Sequence, residues 1–92
     1  MVIKEPEVAM INASAEALNY ISRKPGADME EVMKYVIKMI DAKGKVKIAA
    51  IAAADRAIKL RIKEPGLSDK QVIQEITNNV FHILADIKIS EG

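Results

Sequence analysis

Apolar positions recur along this chain at two different periods. From Asp28 to Lys43 they fall at Val32, Tyr35, Val36, Met39 and Ile40, the spacing of a helix with one buried face. Asp28 is placed to cap that helix, and Glu31 three residues on completes a capping-box-like start. Asp28, Glu30 and Glu31 sit at the positive end of the helix dipole and Lys43 at the negative end. Gly44 follows where a C-terminal glycine belongs. A second helix is predicted from Asp55 to Ile62, with Ala57, Ile58 and Ile62 inward and Arg56, Lys59 and Lys63 outward, ended by Pro65-Gly66. Two stretches admit either period. Val8 to Ile21 reads as a helix through Val8, Ile11, Ala15, Leu18 and Ile21, whereas Ala17 to Ser22 alternates as a strand would. After Ser68 a helix capped by Ser68 would pack Val72, Ile76, Val80, Ile83 and Leu84. The same residues also read as two strands, Val72 to Thr77 and Val80 to Ile89, turning at Asn78-Asn79. In that version Phe81, Ile83, Ala85, Ile87 and Ile89 share one face, and Ile87-Lys88-Ile89 fits the strand better than the helix.

The stretch Gly44 to Leu60 decides between the two versions. Val46 and Ile48 alternate with lysines, as in a half-buried strand. Ala49 to Ala54 then carries nothing larger than a methyl except Ile51, which suits either a close backbone approach or a helix. With the strand, the order is β-α-β-α-β-β and the fold class α+β, an α/β sandwich whose four-stranded mixed sheet packs on two helices. The alternative comes from an internal repeat. A shift of 40 places Arg23-Lys24-Pro25-Gly26 on Lys63-Glu64-Pro65-Gly66, Leu18 on Ile58, Val32 on Val72 and Val36 on Ile76. Two helical hairpins in an all-α bundle would follow. Either way residues 1–92 form a single domain.

Composition removes whole classes of function. The chain has no cysteine and a single histidine, His82, which argues against disulfides, thiolate metal sites and a histidine metal site. Tyr20, Tyr35 and Phe81 are the only aromatics, too few for a base-stacking platform. No apolar run approaches the ~20 residues of a membrane span, and no secretory leader is evident, so a cytoplasmic protein is expected. Net charge is +1, whereas proteins living on phosphate backbones carry a larger basic excess. No Ser-His-Asp set, phosphate-cradling loop or metal spacing occurs, and no enzyme activity or cofactor is expected. Capping accounts for Asp28, Glu30 and Glu31; the methionines Met10, Met29, Met33 and Met39 read as core fillers.

In the strand version, three local motifs point one way. Arg23-Lys24-Pro25 resembles the Lys-Lys-Pro that follows the first strand of the Alba family of small archaeal chromatin proteins. Val32-Met33-Lys34-Tyr35-Val36 resembles the Val-Met-Asn-Tyr-Val of that family's first helix. Val46 to Ile58 resembles its second strand, basic loop and second helix. The match spans about two-thirds of the chain, with Gly26 to Glu30 as an insertion and either Leu18 to Ser22 or Glu7 to Ile11 as first strand. The resemblance implies a homodimer lying along duplex DNA or RNA without sequence choice, through lysine and arginine on phosphates.

Where the family's loop carries lysine and arginines, this chain has Ala49, Ile51 and Ala53, so the basic loop is neutralised. The hairpin tip is reduced to Asn78-Asn79. Arg23, Lys24, Lys43, Lys45, Lys47 and Arg56 remain as candidate nucleic-acid contacts. Each has an ordinary alternative: solvated turn residues for Arg23 and Lys24, strand-edge protection for Lys43, Lys45 and Lys47, and a helix surface for Arg56. The expectation is therefore a homodimer with weak or lost nucleic-acid affinity, acting through a basic paralogue or another protein partner. The exposed Ile51 would invite such a contact. The all-α alternative implies instead a protein-interaction scaffold with no nucleic-acid binding.

Overall fold

The computed structural model describes the chain from Val2 to Glu91, with side chains as far as Asp86. It is all helix: α1 (Pro6–Arg23), α2 (Met29–Met39), α3 (Gly44–Lys63), α4 (Asp69–Asn78) and α5 (Val80–Glu91). No strand occurs among the described residues. The α+β sandwich expected from Val46-Lys47-Ile48 is therefore corrected to an all-α bundle, and the sheet that the Alba resemblance implies is not there. Both candidates for a first strand, Leu18 to Ser22 and Glu7 to Ile11, lie inside α1. Asn78-Asn79 is no hairpin tip: α4 ends at Asn78, and Asn79 bonds back to the Glu75 carbonyl through both its backbone N–H and its side-chain amide as the chain bends into α5. Ile87-Lys88-Ile89 is helical in backbone; the faces taken by these side chains lie outside the described residues.

Local chemistry explains each helix. Pro6 opens α1 at the position where its missing N–H costs nothing, and Glu7 sits in the first turn. Asp28 caps α2, its carboxylate accepting from the Glu31 N–H at 2.9 Å. The capping box is incomplete there, because the Glu31 side chain is engaged elsewhere. It is complete in α4, where Ser68 Oγ accepts from Gln71 N–H and the Gln71 side chain accepts from Ser68 N–H. The helix expected to reach Lys43 stops at Met39, and Ile40 takes extended backbone as C-cap. Gly44 begins α3 rather than ending α2; its φ of +57° turns the chain there. Alternation at Val46 and Ile48 lasts three residues, too little to outweigh the helix-forming alanines that follow.

The bundle is two helical hairpins. α1 and α2 are antiparallel. The Ile3 N–H donates to the Asp41 carbonyl at 2.7 Å, which places the α2–α3 connection beside the start of α1. α3 sets out from that end and runs parallel to α1. α2 and α4 each pack across both α1 and α3, and α5 lies on α3 and α4.

The core divides into two clusters, and the repeat exchanges them. The first joins Ala9, Ala13, Ala17, Val32, Val36 and Ile40 with Ala50, Ala54 and Ile58 of α3. The second joins Ala49, Ala53, Ala57, Val72, Ile76 and Val80 with Met10 and Leu18 of α1. Adding 40 carries Ala9, Ala13, Ala17, Val32, Val36 and Ile40 of the first set onto Ala49, Ala53, Ala57, Val72, Ile76 and Val80 of the second, and carries Met10 and Leu18 of the second onto Ala50 and Ile58 of the first. The chain is thus pseudo-twofold about the seam between α1 and α3. That seam is lined by alanines and Ser14, all fully buried, small side chains of the kind that permit close helix packing. The Ser14 hydroxyl donates to the Met10 carbonyl at 2.8 Å, so the seam holds no unsatisfied polar side chain. No helix in the described residues is long and apolar enough to cross a membrane.

Candidate functional site

The candidate cations do not meet. Arg23 and Lys24 stand at the end of α1, whereas Lys43 precedes α3 and Lys45 and Lys47 lie in its first turn. Because α1 and α3 run parallel, these two groups occupy opposite ends of a bundle 36 Å long. Arg56 is exposed in the second half of α3. Lys43, Lys45 and Lys47 alternate along no strand edge, so edge protection is not their role; they crowd the positive end of the α3 dipole, where cations are disfavoured. The positions thought neutralised are core rather than loop: Ala49 and Ala53 are buried in the seam and Ile51 is half-buried on α3.

Arg23 and Lys24 instead join a polar cluster between α1 and α2. The Tyr20 and Tyr35 rings lie 4.7 Å apart between centroids, tilted by 37°. Tyr20 donates to Glu31 at 2.5 Å and Tyr35 donates to Glu16 at 3.0 Å. Lys24 pairs with the same Glu31 oxygen at 2.5 Å. Arg23 donates to the Tyr35 hydroxyl at 3.1 Å and stands 5.7 Å from that ring's centroid, within cation–π range. Glu31 is thereby drawn from its expected capping role into the junction.

Titration follows from these contacts. Hydrogen bonds from Lys24 and then Tyr20 hold the Glu31 carboxyl below its ordinary value of 4.5. The bond to Glu31, with burial second, raises the Tyr20 hydroxyl above 10.0, and the same carboxylate raises Lys24 above 10.5. A depressed carboxyl contributes stability above its ordinary pKa and loses it as pH falls through the lowered one. A raised phenol or amine contributes below its ordinary pKa and loses it as pH rises through the raised one. The cluster therefore contributes most between the ordinary carboxyl and phenol values. We expect Glu31→Gln to lower the melting temperature slightly at neutral pH, with the difference from wild type vanishing in acid below the carboxyl range; thermal melts across pH check this, and a difference that persists in acid would refute it.

The repeat that reveals this cluster was visible in its apolar matches. Its polar positions carried the missed signal, because the second hairpin has Leu60 for Tyr20, Glu75 for Tyr35, Glu64 for Lys24 and Arg56 for Glu16. Among the described residues, large apolar side chains remain exposed at Val8, Ile37, Met39, Ile48, Ile62 and Phe81. Met39 is thus no core filler, unlike the buried Met10. No group of three or more His, Asp or Glu suited to a metal occurs among the described residues. No family model, curated protein or solved structure matches the chain.

Proposed function

We propose that this protein is a small all-α protein-interaction module that does not depend on nucleic-acid binding. The observation that carries this reading is Phe81, which is 77 % exposed on α5 while its neighbours Val80 and Ile83 are buried in the second core cluster. An exposed aromatic flanked by buried core residues is the residue type that anchors protein interfaces. The distribution of cations supports the same reading. Phosphate tracking needs several lysines and arginines along one surface, and the six candidates are divided between two ends and one helix flank. The Alba-type reading loses the basis of its motif order with the sheet, because its matches were spaced by strands.

The test is a photo-crosslinking amino acid at Phe81 in cells, with one at the exposed Asn12 as control, alongside anisotropy with duplex DNA and RNA over a salt series. Discrete protein adducts at Phe81 but not at Asn12, with no duplex binding in the low-micromolar range at physiological salt, are the expected results. Nucleic-acid adducts, or tight salt-dependent duplex binding, would overturn the reading.

A further inference from the structure

The two hairpins differ most where their helices meet near the Pro-Gly turns. In the first, Tyr20 and Tyr35 fill that junction with paired rings, and the Lys24–Glu31 pair lies beside them. In the second, Leu60, Glu64, Leu67, Gln71, Gln74 and Glu75 line an open depression of ≈ 400 Å³. Subtracting 40 from these numbers gives Tyr20, Lys24, Ala27, Glu31, Lys34 and Tyr35. The depression is therefore the counterpart of the tyrosine cluster, with both rings gone and the cation at its rim replaced by an acid. Its floor keeps the half-buried Leu60 and Leu67. The Glu64 and Glu75 carboxylates have no ion-pair partner among the described residues. Arg61, close by in sequence, is already committed to the Leu67 carbonyl and the Asp69 carboxylate.

We propose that this depression receives an arginine side chain presented by a protein partner. Its methylenes lie over Leu60 and Leu67, and its guanidinium faces Glu64 and Glu75. Arginine fits better than lysine because a planar fork can engage carboxylates from two directions while its stem covers apolar surface. The acidic rim disfavours a phosphate ligand at the same place. The inference rests on the interaction reading above and specifies the chemistry of the partner.

The test is an amide-resolved NMR titration of the full chain with N-acetyl-arginine amide, and with N-acetyl-citrulline amide as the neutral isostere. Arginine is expected to shift the amides of Leu60, Leu67, Gln71 and Glu75 with a Kd on the order of millimolar, as befits one exposed charged contact. Citrulline should bind at least tenfold more weakly. The pair Glu64→Gln and Glu75→Gln, which keeps the shape, should weaken arginine by about tenfold. The pair Leu60→Tyr and Glu75→Tyr, which restores the rings of the first hairpin, should abolish the shifts; if circular dichroism shows it unfolded, the glutamine pair decides. Absence of shifts at these amides, or equal shifts with citrulline, overturns the proposal. A duplex-RNA arm separates the two readings: shifts at Lys43, Lys45 and Lys47 with RNA would sink the interaction module without touching the arginine result.

Discussion

Ala53→Leu is expected to destabilise the protein by about 3 kcal/mol, at the upper end of what overpacking a filled core usually costs. Ala53 is fully buried, in the second core cluster with Ala49, Ala57 and Met10. Three further methyl-sized carbons at this position must displace the helices around it, because the second cluster, to which α1 gives Met10 and Leu18 and α4 gives Val72 and Ile76, is fully buried with no exposed surface left to yield. A chain of this size has a stability of only about 5–15 kcal/mol in total, so such a loss is a large fraction of it. The same substitution at Ala15, exposed on the outer face of α1, should change stability by no more than about 0.5 kcal/mol. Urea denaturation of both variants measures the difference. Equal midpoints would mean that the seam is not closely packed, and the fold account would fail with it.

The seam is also where sequence reading divided. Ala49 to Ala54 fits a helix by propensity and a close backbone approach by size, and both properties are realised at once: the helix forms and its methyl-sized face lets α1 come near. Local period cannot separate these outcomes, because a run of alanines has no large residues whose spacing could mark a face. The decisive information was long-range, in the second set of alanines at Ala9, Ala13 and Ala17, which make sense only as the facing half of the same seam. Val32 and Val36, at full helical spacing, were legible directly and are buried; Val72 and Ile76 fitted either period, and the structure buries them on a helix. Ile87-Lys88-Ile89 misled for a different reason. β-branched residues favour strands only modestly, and the preference gives way to context.

The candidate site was less legible than the fold. Arg23 and Lys24 were read as a pair of cations at a turn, but their partners Tyr35 and Glu31 lie 12 and 7 residues away on another helix, and only the hairpin brings them together. Lys43, Lys45 and Lys47 formed a plausible basic edge on paper because a strand would have aligned them. A helix rotates successive residues by about 100°, so alternate lysines diverge. The polar cluster could have been found by comparing the hairpins at their polar positions, where Tyr20 and Tyr35 have no aromatic counterpart.

Ile58→Ala is expected to cost about 3–4 kcal/mol, and Ile62→Ala, one turn later on the same helix, less than about 0.5 kcal/mol. Ile58 is 1 % exposed in the first core cluster, whereas Ile62 is 68 % exposed. Removing three carbons at Ile58 leaves a cavity in a cluster of alanines and β-branched residues, which have little freedom to swing in and fill it, so the cost should sit in the upper part of the usual range for such truncations. The repeat sharpens the prediction. Leu18 occupies the equivalent position in the second cluster, 2 % exposed, and Leu18→Ala should therefore match Ile58→Ala to within about 1 kcal/mol. Urea midpoints of the three variants decide the matter. A Leu18→Ala loss close to that of Ile62→Ala would mean that the two clusters are not structural equivalents, and that the open depression of the second hairpin is not the counterpart of the filled tyrosine junction of the first.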